Sequence, residues 1–130
     1  MFYYLDSAPI IYLVEKAMPF YERASERLRK PEILLATSML SCLETRVKPL
    51  REKNQEGLQQ FEDFFNSKII LEIGISREVI DKATELRAKY NFKTPDSIHL
   101  AAAITSACDV FFTNDHRLDR CTEIKIETLE

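Results

Sequence analysis

Short apolar segments alternate along this chain with longer segments of helical periodicity, and this alternation constrains the fold more than any other feature. The apolar segments are rich in aliphatic, β-branched and aromatic residues, as buried strands are. They lie at residues 2–6, 33–37, 69–73, 110–113 and 124–127. The predicted helices lie at residues 8–16, 19–30, 40–52, 56–66, 76–90 and 95–107. Strands separated by helices need crossover connections, so we predict an α/β domain with a mainly parallel sheet of four to five strands, covered on both faces.

The length of the chain and its even composition predict a single domain. It has 130 residues, without an internal repeat, a low-complexity segment or a Pro/Ser-rich linker. The clearest helical pattern lies at residues 76–90, where Val79, Ala83, Leu86 and Tyr90 recur on one stripe.

Three acidic residues stand at the ends of predicted strands or at the start of a helix. Asp6 and Asp115 each end an apolar strand segment, and Asp96 opens a helix on the same stripe as Leu100 and Ala103. In an open parallel sheet the functional crevice lies beyond the carboxyl ends of the strands, where the strand order reverses. We therefore expect these carboxylates to meet at one edge of the sheet.

A fourth acid, Glu44, lies on a helix where Leu40 and Val47 share its stripe. Core-type neighbours at this spacing predict that the Glu44 carboxylate is partly removed from water. The helix follows the strand at 33–37, so its first turns can reach the same edge of the sheet as the other three acids.

A cluster of carboxylates needs compensation, because removing an ionised carboxylate from water costs several kcal/mol unless a cation or donors are present. Oxygen-only ligand sets are those that hard divalent cations such as Mg²⁺ or Mn²⁺ prefer. The working hypothesis is a metal site formed by Asp6, Glu44, Asp96 and Asp115.

Each acid also has a structural explanation that needs no metal. Asp6 and Asp115 could hydrogen-bond their own backbone at a turn. Ser41 and Glu44 fit the S-x-x-E pattern of a capping box, and Asp96 follows Pro95 at a position where the helix dipole favours an acid. Four independent capping roles would not need to converge on one crevice, so their coincidence favours a site.

Composition excludes several classes of protein. Only two glycines occur, so phosphate-binding loops of the P-loop or dinucleotide type are absent from the sequence. The three cysteines form no C-x-x-C pair and have no histidines at zinc spacing. The apolar runs are too short to cross a bilayer, and the first residues lack the pattern of a signal peptide, so we expect a cytoplasmic protein.

The other polar residues are expected to have structural or solvent-exposed roles. His99, one turn after Asp96, is expected to pack between helices rather than contact a substrate. Asp119 is expected to be a solvated loop residue. Basic residues near the acids are expected to be mainly charged helix faces, with a phosphate-steering rim as the alternative. They are Arg46, Lys48, Arg51, Lys53, Arg87 and Lys93.

Four segments carry a resemblance to a known family. The segments YLDSAPIIYLVE, SMLSCLETRVKPL, LRAKYNFKTPDSIHLAAA and FFTNDHRL resemble the PIN-domain ribonucleases, and most closely the VapC-like toxins of bacterial and archaeal toxin–antitoxin pairs. The resemblance covers nearly the whole chain and implies a single PIN-like domain at residues 1–130 with a three-layer α/β/α fold. It also implies an Mg²⁺- or Mn²⁺-dependent endoribonuclease, an RNA substrate, a cognate antitoxin and a homodimer.

By position, the resemblance assigns the catalytic and metal-binding roles to the same four acids, Asp6, Glu44, Asp96 and Asp115. It also places supporting polar residues at Ser7, Thr113 and Asn114. Two positions depart from the pattern. Ala8 stands where relatives commonly have Ser or Asn, and Met39 stands at a position that is often acidic.

Two other functions are compatible with parts of this pattern. One is a catalytically silent PIN scaffold that binds RNA or a protein partner. The other is a receiver-like phosphorylation switch, which needs an acceptor Asp after the central strand. The segment IILEIGIS at residues 69–76 offers none.

Overall fold

The computed structural model describes residues 1–129, and in this range strands and helices alternate as the sequence predicts. The strands are β1 (Phe2–Leu5), β2 (Leu34–Ser38), β3 (Ile69–Ile73), β4 (Val110–Thr113) and β5 (Lys125–Thr128). The helices are α1 (Ser7–Glu15), α2 (Phe20–Leu28), α3 (Met39–Arg51), α4 (Gln55–Ser67), α5 (Arg77–Tyr90) and α6 (Thr94–Thr105). A 3₁₀ turn at His116–Arg120 connects β4 to β5.

The five strands form one sheet in the order β3-β2-β1-β4-β5, and every neighbouring pair is parallel. From β1 the chain first moves outward through β2 and β3, and it then returns to the other side of β1 with β4 and β5. The order therefore reverses at β1 and β4. This is the place where an open α/β sheet forms a crevice at its carboxyl edge.

Helices cover both faces of the sheet, which confirms the predicted three-layer α/β/α fold. Consecutive strand residues point to opposite faces. Tyr4 and Phe111 pack with α5 and α6 in one cluster of buried residues, whereas Leu5 and Phe112 pack with α1, α2, α3 and α4 in the other. The two central strands are thus apolar on both sides, as parallel strands between two helical layers are.

The helix α6 is the most deeply buried of the six described helices. Leu100 and the three alanines 101–103 are fully buried against the sheet. Small side chains let this helix lie close to the strands, and that approach brings its first turn, with Asp96, to the carboxyl edge of the sheet. The predicted stripe of α5 is also confirmed, since Val79, Ala83 and Leu86 are buried and Tyr90 packs partly buried against the same cluster.

The predicted apolar stripe of α3 is wrong. Val47 is 41% exposed, because α3 turns a different face inward, formed by Ser41, Cys42 and Thr45. Glu44 lies at the margin of that face rather than on an apolar stripe. Elsewhere Phe61 and Phe65 of α4 are buried in the core, and the three cysteines are buried free thiols. Among residues 1–129, no helix is long and apolar enough to cross a bilayer.

Candidate functional site

A cleft of about 380 Å³ lies at the carboxyl edge of the sheet, where β1 and β4 end. All four predicted acids line it, namely Asp6, Glu44, Asp96 and Asp115, and so do the three predicted polar residues Ser7, Thr113 and Asn114. The structure therefore brings together every residue that the sequence placed at the site. The remaining lining consists of Ala8, Ile11 and His99.

Asp6 is fixed at the centre of the cleft by two donors. It follows β1 as the N-cap of α1, and its Oδ1 accepts a hydrogen bond of 2.8 Å from the backbone N of Ser7. Its Oδ2 accepts a hydrogen bond of 2.8 Å from Thr113 Oγ1. The turn role considered for Asp6 is thus real, and it coexists with a place in the cleft. The predicted strand at 2–6 is therefore one residue too long, because Asp6 is a helix cap and β1 ends at Leu5.

Glu44 is held by two side chains that both reach the same oxygen. Its Oε1 accepts hydrogen bonds from Ser7 Oγ at 2.7 Å and from His99 Nε2 at 2.6 Å. Burial opposes ionisation of Glu44, but these two hydrogen bonds outweigh it and lower its pKa below the ordinary value.

The capping box considered as an alternative role for Ser41 and Glu44 is absent from α3. This helix begins at Met39 with Ser38 as its N-cap, so Ser41 already lies inside the first turn. The Ser41 hydroxyl instead accepts a hydrogen bond of 2.7 Å from Thr37 Oγ1. The side chain of Glu44 is therefore free to turn away from its own helix and into the cleft.

His99 is the functional candidate that sequence reasoning undervalued. As predicted it is a packing residue, with only 2% of its surface exposed, but it also contacts the acid cluster. Its Nε2 lies 2.6 Å from Glu44 Oε1 and 3.6 Å from Asp6 Oδ1. Its position three residues after Asp96 on a helix was the available signal, since residues at this spacing share a face.

The other ring nitrogen of His99 is also engaged. Its Nδ1 lies 2.7 Å from the Tyr4 hydroxyl, which donates to Ser38 Oγ at 2.7 Å. Each ring nitrogen of His99 therefore has a hydrogen-bond partner. Burial opposes the charged ring, but the hydrogen bond to Glu44 and the charges of Asp6, Glu44 and Asp96 outweigh it and raise the His99 pKa.

Asp96 is the acid with the least compensation. It lies in the first turn of α6. Among residues 1–129, no hydrogen bond or ion pair reaches its carboxylate. Burial raises its pKa, and the negative charges of Asp6 and Asp115 raise it further, against weaker effects of His99 and Arg117. A cation placed in the cleft would relieve this repulsion directly.

Asp115 is engaged by an exposed arginine. It caps the 3₁₀ turn by accepting a hydrogen bond of 3.0 Å from the backbone N of Arg117. The guanidinium of Arg117, whose side chain is 67% exposed, donates to both carboxylate oxygens at 2.9 and 2.8 Å. Hydrogen bonds from Arg117 lower the pKa of Asp115, and the charge of Lys93 adds to the effect.

Asn114 contributes an acceptor that nothing in residues 1–129 satisfies. Its Nδ2 donates to the Tyr12 hydroxyl at 3.0 Å, while its Oδ1 is buried without a partner. Such atoms are rare in native structures and commonly serve a ligand or water. Asp119, in contrast, lies outside the cleft lining, and its exposed side chain has Oδ2 3.8 Å from Nδ1 of exposed His116, as expected of a solvated residue.

The residues of the cleft fit a hard divalent cation in their chemistry, although they are not arranged as a ligand set. Within residues 1–129, no group of three or more His, Cys, Asp or Glu side chains is positioned to hold an ion. The Arg117 guanidinium already binds both carboxylate oxygens of Asp115. His99 Nε2 already binds Oε1 of Glu44. The Asp96 carboxylate supports the fit, because its pKa is raised by the charges of Asp6 and Asp115 and, among residues 1–129, no hydrogen bond or ion pair reaches it. The residues that would hold the ion are the four acids of the cleft.

Comparisons with known proteins point in one direction. A family model described as the PIN domain matches residues 3–124. No curated protein sequence matches the chain significantly.

Several solved structures share the fold. VapBC2 from Rickettsia felis, bound to a DNA fragment from its promoter, has a TM-score of 0.79 at 22% identity and covers 98% of each chain. VapBC-1 from nontypeable Haemophilus influenzae has a TM-score of 0.80 at 17% identity, covering 99% of this chain and 98% of the other. Mycobacterium tuberculosis VapC20, described as a sarcin-ricin loop cleaving toxin, has a TM-score of 0.70 at 15% identity, with coverage of 95% and 98%.

Proposed function

The chain belongs to the PIN domain family, and from this premise we propose that it is a divalent-metal-dependent endoribonuclease, the toxin of a toxin–antitoxin pair in the cytoplasm. One observation carries the proposal. Four acids that are distant in sequence line one cleft at the strand-order reversal, and the carboxylate of one of them, Asp96, has no hydrogen-bond or ion-pair partner among residues 1–129.

The reaction is the hydrolysis of an RNA phosphodiester. The oxygen of water attacks phosphorus, the bond from phosphorus to the leaving ribose oxygen breaks, and that oxygen gains a proton. The products are a phosphate monoester and a hydroxyl end. Mg²⁺ or Mn²⁺, when bound, supplies a more acidic water and neutralises the charge that develops on the phosphate oxygens.

The side chains of the cleft are suited to this chemistry by how firmly they are held. Asp6 and Glu44 have their carboxylates fixed by Ser7, Thr113 and His99. Rigid ligands keep their geometry as charge develops, which is the basis of electrostatic preorganisation. Asp96, which is repelled by its neighbours, gains most from a cation.

A protein partner is part of the proposal. One related structure is described as a toxin–antitoxin complex from Klebsiella pneumoniae, and we propose that a cognate antitoxin covers the cleft here and that the chain forms a homodimer. Exposed apolar side chains on α3 support an interaction surface. Leu43 is 58% exposed and Leu50 63%, and both line an apolar groove of about 620 Å³ between α3 and α4.

A catalytically silent scaffold is the second candidate. The observation that favours it is the absence, among residues 1–129, of a ready-made group of metal ligands. Under this alternative, the arginine at Asp115 and the histidine at Glu44 are permanent partners rather than contacts that coexist with an ion.

Cleavage of total cellular RNA by the purified protein separates the two candidates. Any co-purified antitoxin is first removed, and the RNA is incubated with Mg²⁺ or Mn²⁺ and, in parallel, with EDTA. The test variant is Asp96→Asn, which keeps size and removes the charge. The matched control is Asp119→Asn, the same change at an exposed acid outside the cleft.

The proposed function predicts discrete RNA fragments from the wild type and from Asp119→Asn. These fragments should be absent with EDTA and with Asp96→Asn. If the wild type and Asp96→Asn give the same RNA profile with either metal, the nuclease is rejected and the scaffold becomes the better function.

A further inference from the structure

We propose that His99 is a positioning residue, which holds the Glu44 carboxylate by Oε1 so that Oε2 is left for a cation in the cleft. Tyr4 and Ser38 in turn hold the imidazole ring. The inference rests on the proposed function, because it concerns the same metal site, and the experiment below separates a failure of one from a failure of the other.

The hydrogen bonds of Glu44 are one-sided. His99 Nε2 and Ser7 Oγ both reach Oε1, at 2.6 and 2.7 Å. Among residues 1–129, none donates to Oε2. The Glu44 side chain is 31% exposed and lines the cleft, so this second oxygen is available to a ligand. A glutamate at the margin of the buried face of α3 has several rotamers, and two bonds to one oxygen select among them.

The orientation of the His99 imidazole is fixed by Tyr4 and Ser38. His99 Nδ1 meets the Tyr4 hydroxyl at 2.7 Å, and that hydroxyl donates to Ser38 Oγ at 2.7 Å. The rings of Tyr4 and His99 meet edge to face with centroids 5.8 Å apart. The three residues are 0 to 2% exposed. A ring flip would break the hydrogen bonds at both nitrogens, so Nε2 stays directed at Glu44 Oε1.

The same nitrogen also stands between two acids. His99 Nε2 lies 3.6 Å from Asp6 Oδ1 and 2.6 Å from Glu44 Oε1. An N–H group in this position keeps the two carboxylates apart at a set spacing and reduces their repulsion. Residues that support metal ligands in this way commonly change metal affinity by about 10- to 100-fold when they are replaced.

A purely structural role for His99 predicts something different. Loss of the ring from the core would lower stability, but metal affinity would follow only the fraction of folded protein. Two replacements divide the functions of the ring. Asn can place its amide near the Nδ1 position, and Gln can place its amide nitrogen near the Nε2 position, so His99→Gln can still donate to Glu44. His99→Leu keeps bulk and removes both nitrogens.

Calorimetric titration of the purified full chain with Mn²⁺ is the test. We expect His99→Leu and His99→Asn to bind Mn²⁺ about 10- to 100-fold more weakly than the wild type, and His99→Gln to remain close to it. In a Glu44→Gln background, which weakens binding by itself, His99→Leu should cause a much smaller further loss, because only its longer contact with Asp6 remains to be removed. This double-mutant cycle isolates action through Glu44.

Folding is checked on every variant by circular dichroism and thermal unfolding. Tyr4→Phe serves as the variant least able to disturb packing, because it keeps the ring that stacks on Phe111 at 5.3 Å and removes only the hydroxyl. It should weaken Mn²⁺ binding in the same direction as His99→Leu, by a smaller factor. In RNA cleavage, folded His99→Leu and His99→Asn should lose kcat with little change in KM, since only 2% of His99 is exposed and little of the ring can touch RNA.

The outcomes are distinct. If the wild type binds no Mn²⁺ and cleaves no RNA, the proposed function fails, and this inference fails with it. If the wild type binds Mn²⁺ but folded His99→Leu, His99→Asn and Tyr4→Phe bind it equally well, only the positioning role fails. The role is also overturned if His99→Leu weakens binding as much in the Glu44→Gln background as in the wild type.

Discussion

Replacement of Thr113 by Val is the most direct probe of how the cleft is held together, because it removes one hydroxyl and keeps the size and shape of the side chain. Thr113 is fully buried. Its Oγ1 donates to Asp6 Oδ2 at 2.8 Å and accepts from the backbone N of Asp115 at 3.1 Å. A single oxygen therefore connects two acids that lie at the ends of adjacent strands.

The magnitude follows from these two bonds. A hydrogen bond to a charged group contributes about 1.5–3 kcal/mol and a bond between neutral groups about 0.5–1.5 kcal/mol. Water can reach Asp6 through the cleft and replace part of the loss. We therefore expect Thr113→Val to lower the free energy of unfolding by about 2–3 kcal/mol, in the lower part of the summed range.

Urea unfolding followed by circular dichroism, with EDTA present, measures this difference. Thr113→Ser is the matched control, because it keeps the hydroxyl and loses one methyl group, at a cost of about 1 kcal/mol. The midpoint should fall further for Val than for Ser, with an unchanged dependence on urea concentration. The reasoning is refuted if Thr113→Ser is as destabilised as Thr113→Val, or if Thr113→Val unfolds with the wild-type midpoint.

Three further predictions address charge and surface. In EDTA, Asp96→Asn should raise the melting temperature, because it removes a carboxylate that is repelled by its neighbours. Mn²⁺ should raise the melting temperature of the wild type but not that of Asp96→Asn. An equal rise in both proteins would contradict this prediction. Arg117→Gln should tighten Mn²⁺ binding severalfold in calorimetry, because it frees the Asp115 carboxylate, whereas Arg77→Gln, at an exposed salt bridge remote from the cleft, should leave affinity unchanged. Leu50→Glu, on the groove of α3, should alter the free energy of unfolding by less than about 0.5 kcal/mol but weaken self-association or antitoxin binding in analytical ultracentrifugation; equal association would remove α3 from the interface.

The sequence predicts the fold well because its two periodicities seldom conflict. The apolar segments are short, the helical segments are long, and few residues fit both patterns, so element order and the parallel sheet follow from local chemistry. The predicted ends of strands and helices differ from the structure where a single side chain determines the end of an element. Asp6 reads as the last residue of a strand, but its carboxylate binds the next backbone N–H and makes it a helix cap.

The sequence predicts which residues line the cleft, but it does not predict which atoms each of them contacts. Topology alone brings Asp6 and Asp115 to one edge of the sheet, because β1 and β4 are parallel neighbours. The partnership of His99 with Glu44 depends on the distance between α3 and α6, which no local pattern encodes. The apolar stripe predicted for α3 is wrong for the same reason, since burial there is set by neighbouring elements and not by the apolar residues of α3 itself.

The central place of β1 in the sheet has a consequence for the timing of synthesis. Of the five described strands β1 comes first in the chain, yet its two neighbours are β2, which begins at Leu34, and β4, which begins at Val110. A growing chain that has not reached β4 leaves one edge of β1 unpaired and lacks the Thr113 hydroxyl that holds Asp6. Contacts between such distant segments form late. The acid cleft therefore cannot exist on the ribosome until nearly the whole domain has been made, so a nascent or prematurely released chain carries no cleft.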